Sequence, residues 1–108
     1  MKKVFISFDE IDLGYLIETE KSYMFVANEQ GILNAQEKNP IAMSLFKLNK
    51  TGKQNYEAMP HMFSQFIVTD SRKDICDKAK INTDDSQFEK LFKIAGLNIM
   101  KINFKIHQ

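Results

Sequence analysis

The hydrophobic period changes twice along this chain. Val4, Ile6 and Phe8 alternate with Lys3, Phe5 and Ser7, a repeat of two that a β-strand satisfies and a helix does not. Toward the other end, Phe88, Leu91, Phe92 and Ala95 follow the i, i+3, i+4, i+7 spacing of one helix face. Past Gly96 the repeat of two returns. Met100, Ile102, Phe104 and Ile106 face one way, and Lys101, Asn103, Lys105 and His107 the other. Strands, then helices, then a closing strand within 108 residues leave room for one domain, residues 1–108, around one core.

Between these anchors the pattern is read locally. Asp9-Glu10 is turn-like. Residues 13–17 form a second strand, in which Gly14 marks a bulge or a close backbone approach. A polar turn over 18–22 leads to a third strand at 23–26, rich in aromatic and β-branched residues. The short spacings make this an antiparallel meander. Residues 28–39 are polar and read as a loop with one helical turn around Ile32-Leu33. After Pro40, the alternation of Ile41, Met43 and Leu45 predicts a fourth strand, and 49–56 reads as a loop. Pro60 starts a short helix through Ile67. Ser71 with Asp74 resembles a capping box for a helix through Lys80 that buries Ile75, Cys76 and Ala79. Thr83 caps a third helix, with Asp84 and Asp85 near its positive end. The expected fold is α+β: a small antiparallel sheet of about five strands, with two to three short helices inserted before the last strand.

Composition narrows function mainly by exclusion. Net charge is +1, which gives no overall pull toward nucleic acid or membrane. The first 40 residues carry 4 Lys against 7 Asp+Glu, and the remainder 11 Lys+Arg against 7 Asp+Glu. The single cysteine, Cys76, permits no internal disulfide and fits a reducing cytoplasm. The apolar run after Lys2-Lys3 stops at Asp9, too soon for a signal peptide, and no stretch approaches the ~18 apolar residues of a membrane span. His61, His107 and Cys76 are scattered, without metal-ligand spacing. The four glycines, 14, 31, 52 and 96, are isolated, so no phosphate loop exists. No catalytic residue, metal or cofactor is expected. Lys90, Lys93, Lys101 and Lys105 are a candidate basic patch for phosphates; the simpler reading is a solvated edge face.

Residues 59–68 are unusual: Met59, Met62, Phe63, Phe66, Ile67 and Val68 fall within ten positions. One face of a short helix buries about half of these. The rest either enter the core through the next loop or stay exposed, as Met- and Phe-rich interaction surfaces do.

The order of short motifs resembles a known family. Val4-Phe5-Ile6-Ser7-Phe8 is followed by Asp12-Leu13-Gly14-Tyr15-Leu16, Tyr23-Met24-Phe25, Ile41-Ala42-Met43-Ser44-Leu45, and a segment from Met62 through Phe63, Phe66 and Asp70 to Ser71. This series is similar to the N-terminal subdomain of HipA-type serine/threonine kinase toxins. There a "vG.L" strand leads to an "F.Y" strand, a "PlSlsLP" strand and an "fFdnLLPDs" helix. The likeness spans nearly the whole chain at low identity. The family's second proline after the Ser-Leu strand is Phe46 or Lys47 here, and its "LLPD" proline is Val68 or Thr69.

In that family a catalytic kinase domain follows the subdomain, whereas this chain ends at Gln108. The resemblance therefore implies a free-standing, HipS-like copy of the subdomain, as in HipBST toxin–antitoxin systems. Its partner would be a separate HipT-like serine/threonine kinase, which it binds and neutralises, with a HipB-like helix-turn-helix protein supplying DNA contact in a ternary complex. The implied docking residues are His61, Met62, Phe63, Phe66, Ile67, Asp70 and Ser71. Two other functions fit the sequence: a structural subunit that completes the kinase fold without inhibiting it, and a small nucleic-acid-binding domain using the four lysines.

Overall fold

The computed structural model describes residues 2–44, 52–67, 73–98, 100–101 and 103–108. Strands β1 (Val4–Phe8) and β2 (Ile11–Glu18) form a tight hairpin with Phe8 opposite Ile11. Asp9 and Glu10 between them both have positive φ, 47° and 71°, as a type I′ turn requires. The register slips between Ile6 and Ser7, which pair with Gly14 and Asp12. Leu13 is thus the extra residue of a β-bulge. Gly14 sits at φ +131° with its α-carbon against β3: an added Cβ would lie 2.2 Å from the Val26 carbonyl oxygen and 2.9 Å from the Phe25 ring. A side chain has no space there.

Strand β3 (Tyr23–Ala27) pairs antiparallel with β2 and completes the meander. The chain then departs from the expected loop. Residues 29–38 form helix α1 (Glu29–Lys38). Asn28 caps it, its side-chain oxygen accepting from the Gly31 N–H at 3.1 Å, and the helix buries only Gly31, Ile32 and Ala35. That narrow stripe explains the polar appearance of the segment. Gly31 lets the helix settle on β2, because a Cβ there would meet the Asp12 carbonyl oxygen at 1.7 Å.

The expected strand after Pro40 is a short helix, α2 (Pro40–Ser44). Asn39 ends α1 and caps α2, accepting from the Ala42 N–H at 3.0 Å, and Pro40 supplies a φ already suited to a first helical turn. Five alternating residues do not separate a period of two from one of 3.6. Leu45 and Phe46 lie outside the described residues. Part of the expected 49–56 loop is instead strand β4 (Lys53–Tyr56), paired with β3.

Helices α3 (His61–Ser64), α4 (Lys73–Ala79) and α5 (Gln87–Ala95) follow. Within α4, Ala79 is buried, but Ile75 and Cys76 are only half-buried; Ser71 lies outside the described residues. Helix α5 is capped by Ser86, which accepts from the Glu89 N–H at 3.1 Å, not by Thr83. Asp85 instead closes the preceding turn onto the Asn82 N–H at 2.9 Å. The buried stripe of α5 is Phe88, Leu91, Ile94 and Ala95. Phe92 is half-buried and sits beneath the Lys2 ammonium, 5.1 Å from its ring centre.

The terminal segment is a hairpin, not one strand. β5 (Met100–Lys101) and β6 (Phe104–His107) pair with Lys101 opposite Phe104, and Asn103 turns the chain at φ 67°. Ile102 lies outside the described residues. The sheet order is β4-β3-β2-β1-β6-β5, so the C-terminal β6 lies beside the N-terminal β1. The fold is α+β: an antiparallel sheet, its edge strand β5 only two residues long, with short helices. Three helices precede the final hairpin as expected, and α1 and α2 are additional. Val4, Ile6, Phe8, Leu16, Phe25, Phe104 and Ile106 line one sheet face and share a single core with Ile32, Met43, Phe63, Phe88, Leu91 and Ile94 from the helices and Phe66 from the turn after α3.

Candidate docking surface

The segment expected to dock a partner begins with Pro60, whose carbonyl accepts from the Phe63 and Ser64 N–H groups. Its apolar surplus turns inward. Phe63 is fully buried, with its ring centre 5.9 Å from that of Phe25. Met62 and Phe66 are each 3% exposed. A tight turn after α3, closed by the Phe66 N–H donating to the Phe63 carbonyl at 3.0 Å, returns Phe66 to the core. Met59 and Ile67 are half-buried against the same cluster. Met62, Phe63 and Phe66 are therefore removed as direct partner contacts: a partner would reach them only by opening the core. His61 is exposed. Asp70, Ser71 and Val68 lie outside the described residues.

The opposite face of the sheet carries a second set of large side chains. By register, Phe5 of β1, Tyr15 and Ile17 of β2, Met24 and Val26 of β3, and His107 of β6 all emerge on the side away from the core. All six are half-buried, and none of the five apolar residues among them packs against the core cluster. Phe5 lies at the middle. Its ring stacks on His107, centres 5.2 Å apart and planes within 7°, and meets Tyr15 at 5.4 Å. Lys3 covers the Tyr15 ring at 4.6 Å. Lys53 pairs with Val26 and Lys105 with Ser7, placing both cations at the margins of this face. Neither makes an ion pair among the described residues. A sequence signal existed: β2 and β3 are apolar on both faces, whereas an antiparallel sheet open on one side normally alternates.

At one end of this face lies an open cleft of about 570 Å³ lined by Ser7, Asp9, Asp12, Lys38, Lys105 and His107 among others. Lys38 approaches Asp9 at 3.6 Å, and Asp12 accepts from the Asn28 side chain at 2.9 Å. The charges there are mixed, and Asp9 with Lys38 is the one ion pair among the described lining residues. Among the described residues no cluster of His, Cys, Asp and Glu has metal-binding geometry, and no helix is long and apolar enough to cross a membrane.

Of the four lysines considered for phosphate binding, Lys93 and Lys105 lie on different sides of the sheet. Lys93 on α5 is held by Asp85 at 2.6 Å and donates to the Lys80 carbonyl at 3.0 Å. That hydrogen bond holds the Asp85 carboxyl below its ordinary value. Lys105 projects from the opposite side of the sheet. Burial raises the Tyr56 and Tyr23 phenols, with Glu18 adding to the effect at Tyr23. Two isolated apolar side chains, Leu33 at 49% and Ile41 at 77% exposure, stand on α1 and α2, away from this face.

No protein-family model matches the chain, and no curated protein matches it.

Proposed function

We propose that this chain is a HipS-like antitoxin that binds a separate HipA-like (HipT) serine/threonine kinase in the cytoplasm and neutralises it, with a HipB-like DNA-binding protein as a further partner. The observation that carries this reading is how the residues of the resemblance pack. Gly14 of the "vG.L"-like strand lies against Phe25 of the "F.Y"-like strand. The Phe25 ring in turn packs on Phe63 of the "fFdnLLPDs"-like helix. Motifs separated by dozens of residues thus form one contiguous unit, as a shared subdomain demands. The departure is at α2, helical where the family has a strand.

In this reading the chemistry belongs to the kinase, and the chain contributes surface. A subdomain that acts from a separate chain must offset the association entropy a fused one avoids, so it needs a large complementary face. The test is a search for a HipA-type kinase gene beside this one and co-expression of the two. The two chains should co-elute, and growth arrest caused by the kinase should be relieved. Separate elution with unrelieved arrest, or no such kinase gene nearby, refutes the proposal. The purified chain with ATP and magnesium should show neither hydrolysis nor autophosphorylation.

A further inference from the structure

We infer that the open sheet face around Phe5, Tyr15, Ile17, Met24 and Val26 is the kinase-docking surface, accepting a patch with an apolar centre and a carboxylate rim. This rests on the function proposed above. Three features of the face select that occupant.

First, β2 and β3 carry apolar side chains on both faces, and among the described residues the helices that contribute to the core cover only one. Strands of this kind occur where both faces are covered. Second, the cations are at the margins. Lys53 and Lys105 are unpaired among the described residues and lie on opposite sides of the apolar centre. Charges so placed favour a partner with acidic groups at its rim, and they repel a second copy of the same face. Third, the ring faces are already occupied: Phe5 by His107 and Tyr15 by Lys3. The other half is aliphatic. A single-stranded nucleic acid needs free ring faces on which bases stack, whereas a protein surface needs only apolar area. Five strands about 4.8 Å apart and about five residues long span on the order of 400 Å² in projection. A standard interface covers about 800 Å² per partner, so the lysine margins must take part.

The experiment measures kinase affinity for the wild-type chain and for Met24→Glu, Lys53→Glu, the Lys53→Glu/Lys105→Glu pair and Ile41→Glu, with a thermal melt of each. Met24→Glu should weaken binding by about thirtyfold or more, the loss typical of a central anchor. The paired lysine reversal should weaken it severalfold, chiefly through slower association at low salt. Ile41→Glu, off the face, should bind as wild type. Should Met24→Glu fail to fold, the exposed lysine pair decides alone. If wild type binds and the folded face variants bind equally well, docking is elsewhere: the inference falls and the antitoxin reading stands. If only Ile41→Glu weakens binding, the inference falls in the same way. If wild type binds no kinase, both fall. Tight binding of a single-stranded oligonucleotide, or self-association, abolished by Met24→Glu would give the face a different occupant and overturn the inference.

Discussion

Phe63 and Phe92 show how residues of one type take different roles. Phe63 is fully enclosed against Phe25, and Phe92 is half-buried under Lys2. Phe63→Ala should destabilise by about 3–5 kcal/mol, the cost of a large core cavity. Phe92→Ala should cost only about 1 kcal/mol, in proportion to the smaller apolar area it hides. Denaturant melts of both decide this, and equal losses would contradict the assignment of α5's inner face. The Tyr56 hydroxyl is buried without a hydrogen-bond partner among the described residues, and such a group costs about 1–3 kcal/mol. Tyr56→Phe should therefore be neutral or stabilising by about 1 kcal/mol, and a clear loss in the same melt would mean that the hydroxyl has a partner. Asp85 contributes to the acid limb. Its folded-state carboxyl lies below the ordinary 3.8, so its contribution is complete above that value and is lost as pH falls through the lowered one. Asp85→Asn should flatten the pH dependence of stability below about pH 4, seen as melting temperatures that converge with wild type in acid.

At the scale of elements, the strands and helices with long, clean periods were legible in the sequence. β1 stands where the alternation places it, β2 and β3 where apolar runs between polar turns place them, and α5 follows its stripe with Ile94 in place of Phe92. Segments whose structure depends on a few local contacts were not. Helix α1 buries only three residues and relies on the Asn28 cap and the bare α-carbon of Gly31. Helix α2 and the terminal hairpin both hide inside an apolar alternation, resolved by the Asn39 side chain in one case and by a left-handed Asn103 in the other. Gly14 was read correctly as a point of close approach, because isolated glycine within a strand has few other uses. Gly14→Ala should cost at least about 2 kcal/mol from its φ alone, before the collision with Val26. A melt within 0.5 kcal/mol of wild type, about the noise of a neutral surface change, would mean that the bulge relaxes.

At the scale of the molecule, three of the expected docking residues, Met62, Phe63 and Phe66, are buried for one reason. A surplus of large apolar side chains in residues 59–68 reads as exposed surface only if a short helix must bury them alone. The turn after α3 and the sheet share that burial. The surplus that stays outside the core is distributed along β1, β2 and β3, one or two residues at a time, where no local window reveals it. Only the register brings Phe5, Tyr15, Ile17, Met24 and Val26 onto one face. The proposed kinase partner and its inhibition are both read at once by titrating a HipA-type kinase found encoded beside this chain with the purified chain and following autophosphorylation. Activity should fall to baseline near one chain per kinase and return when Met24→Glu replaces wild type. Undiminished phosphorylation in the presence of saturating, bound wild-type chain would make the protein a structural subunit and not an antitoxin.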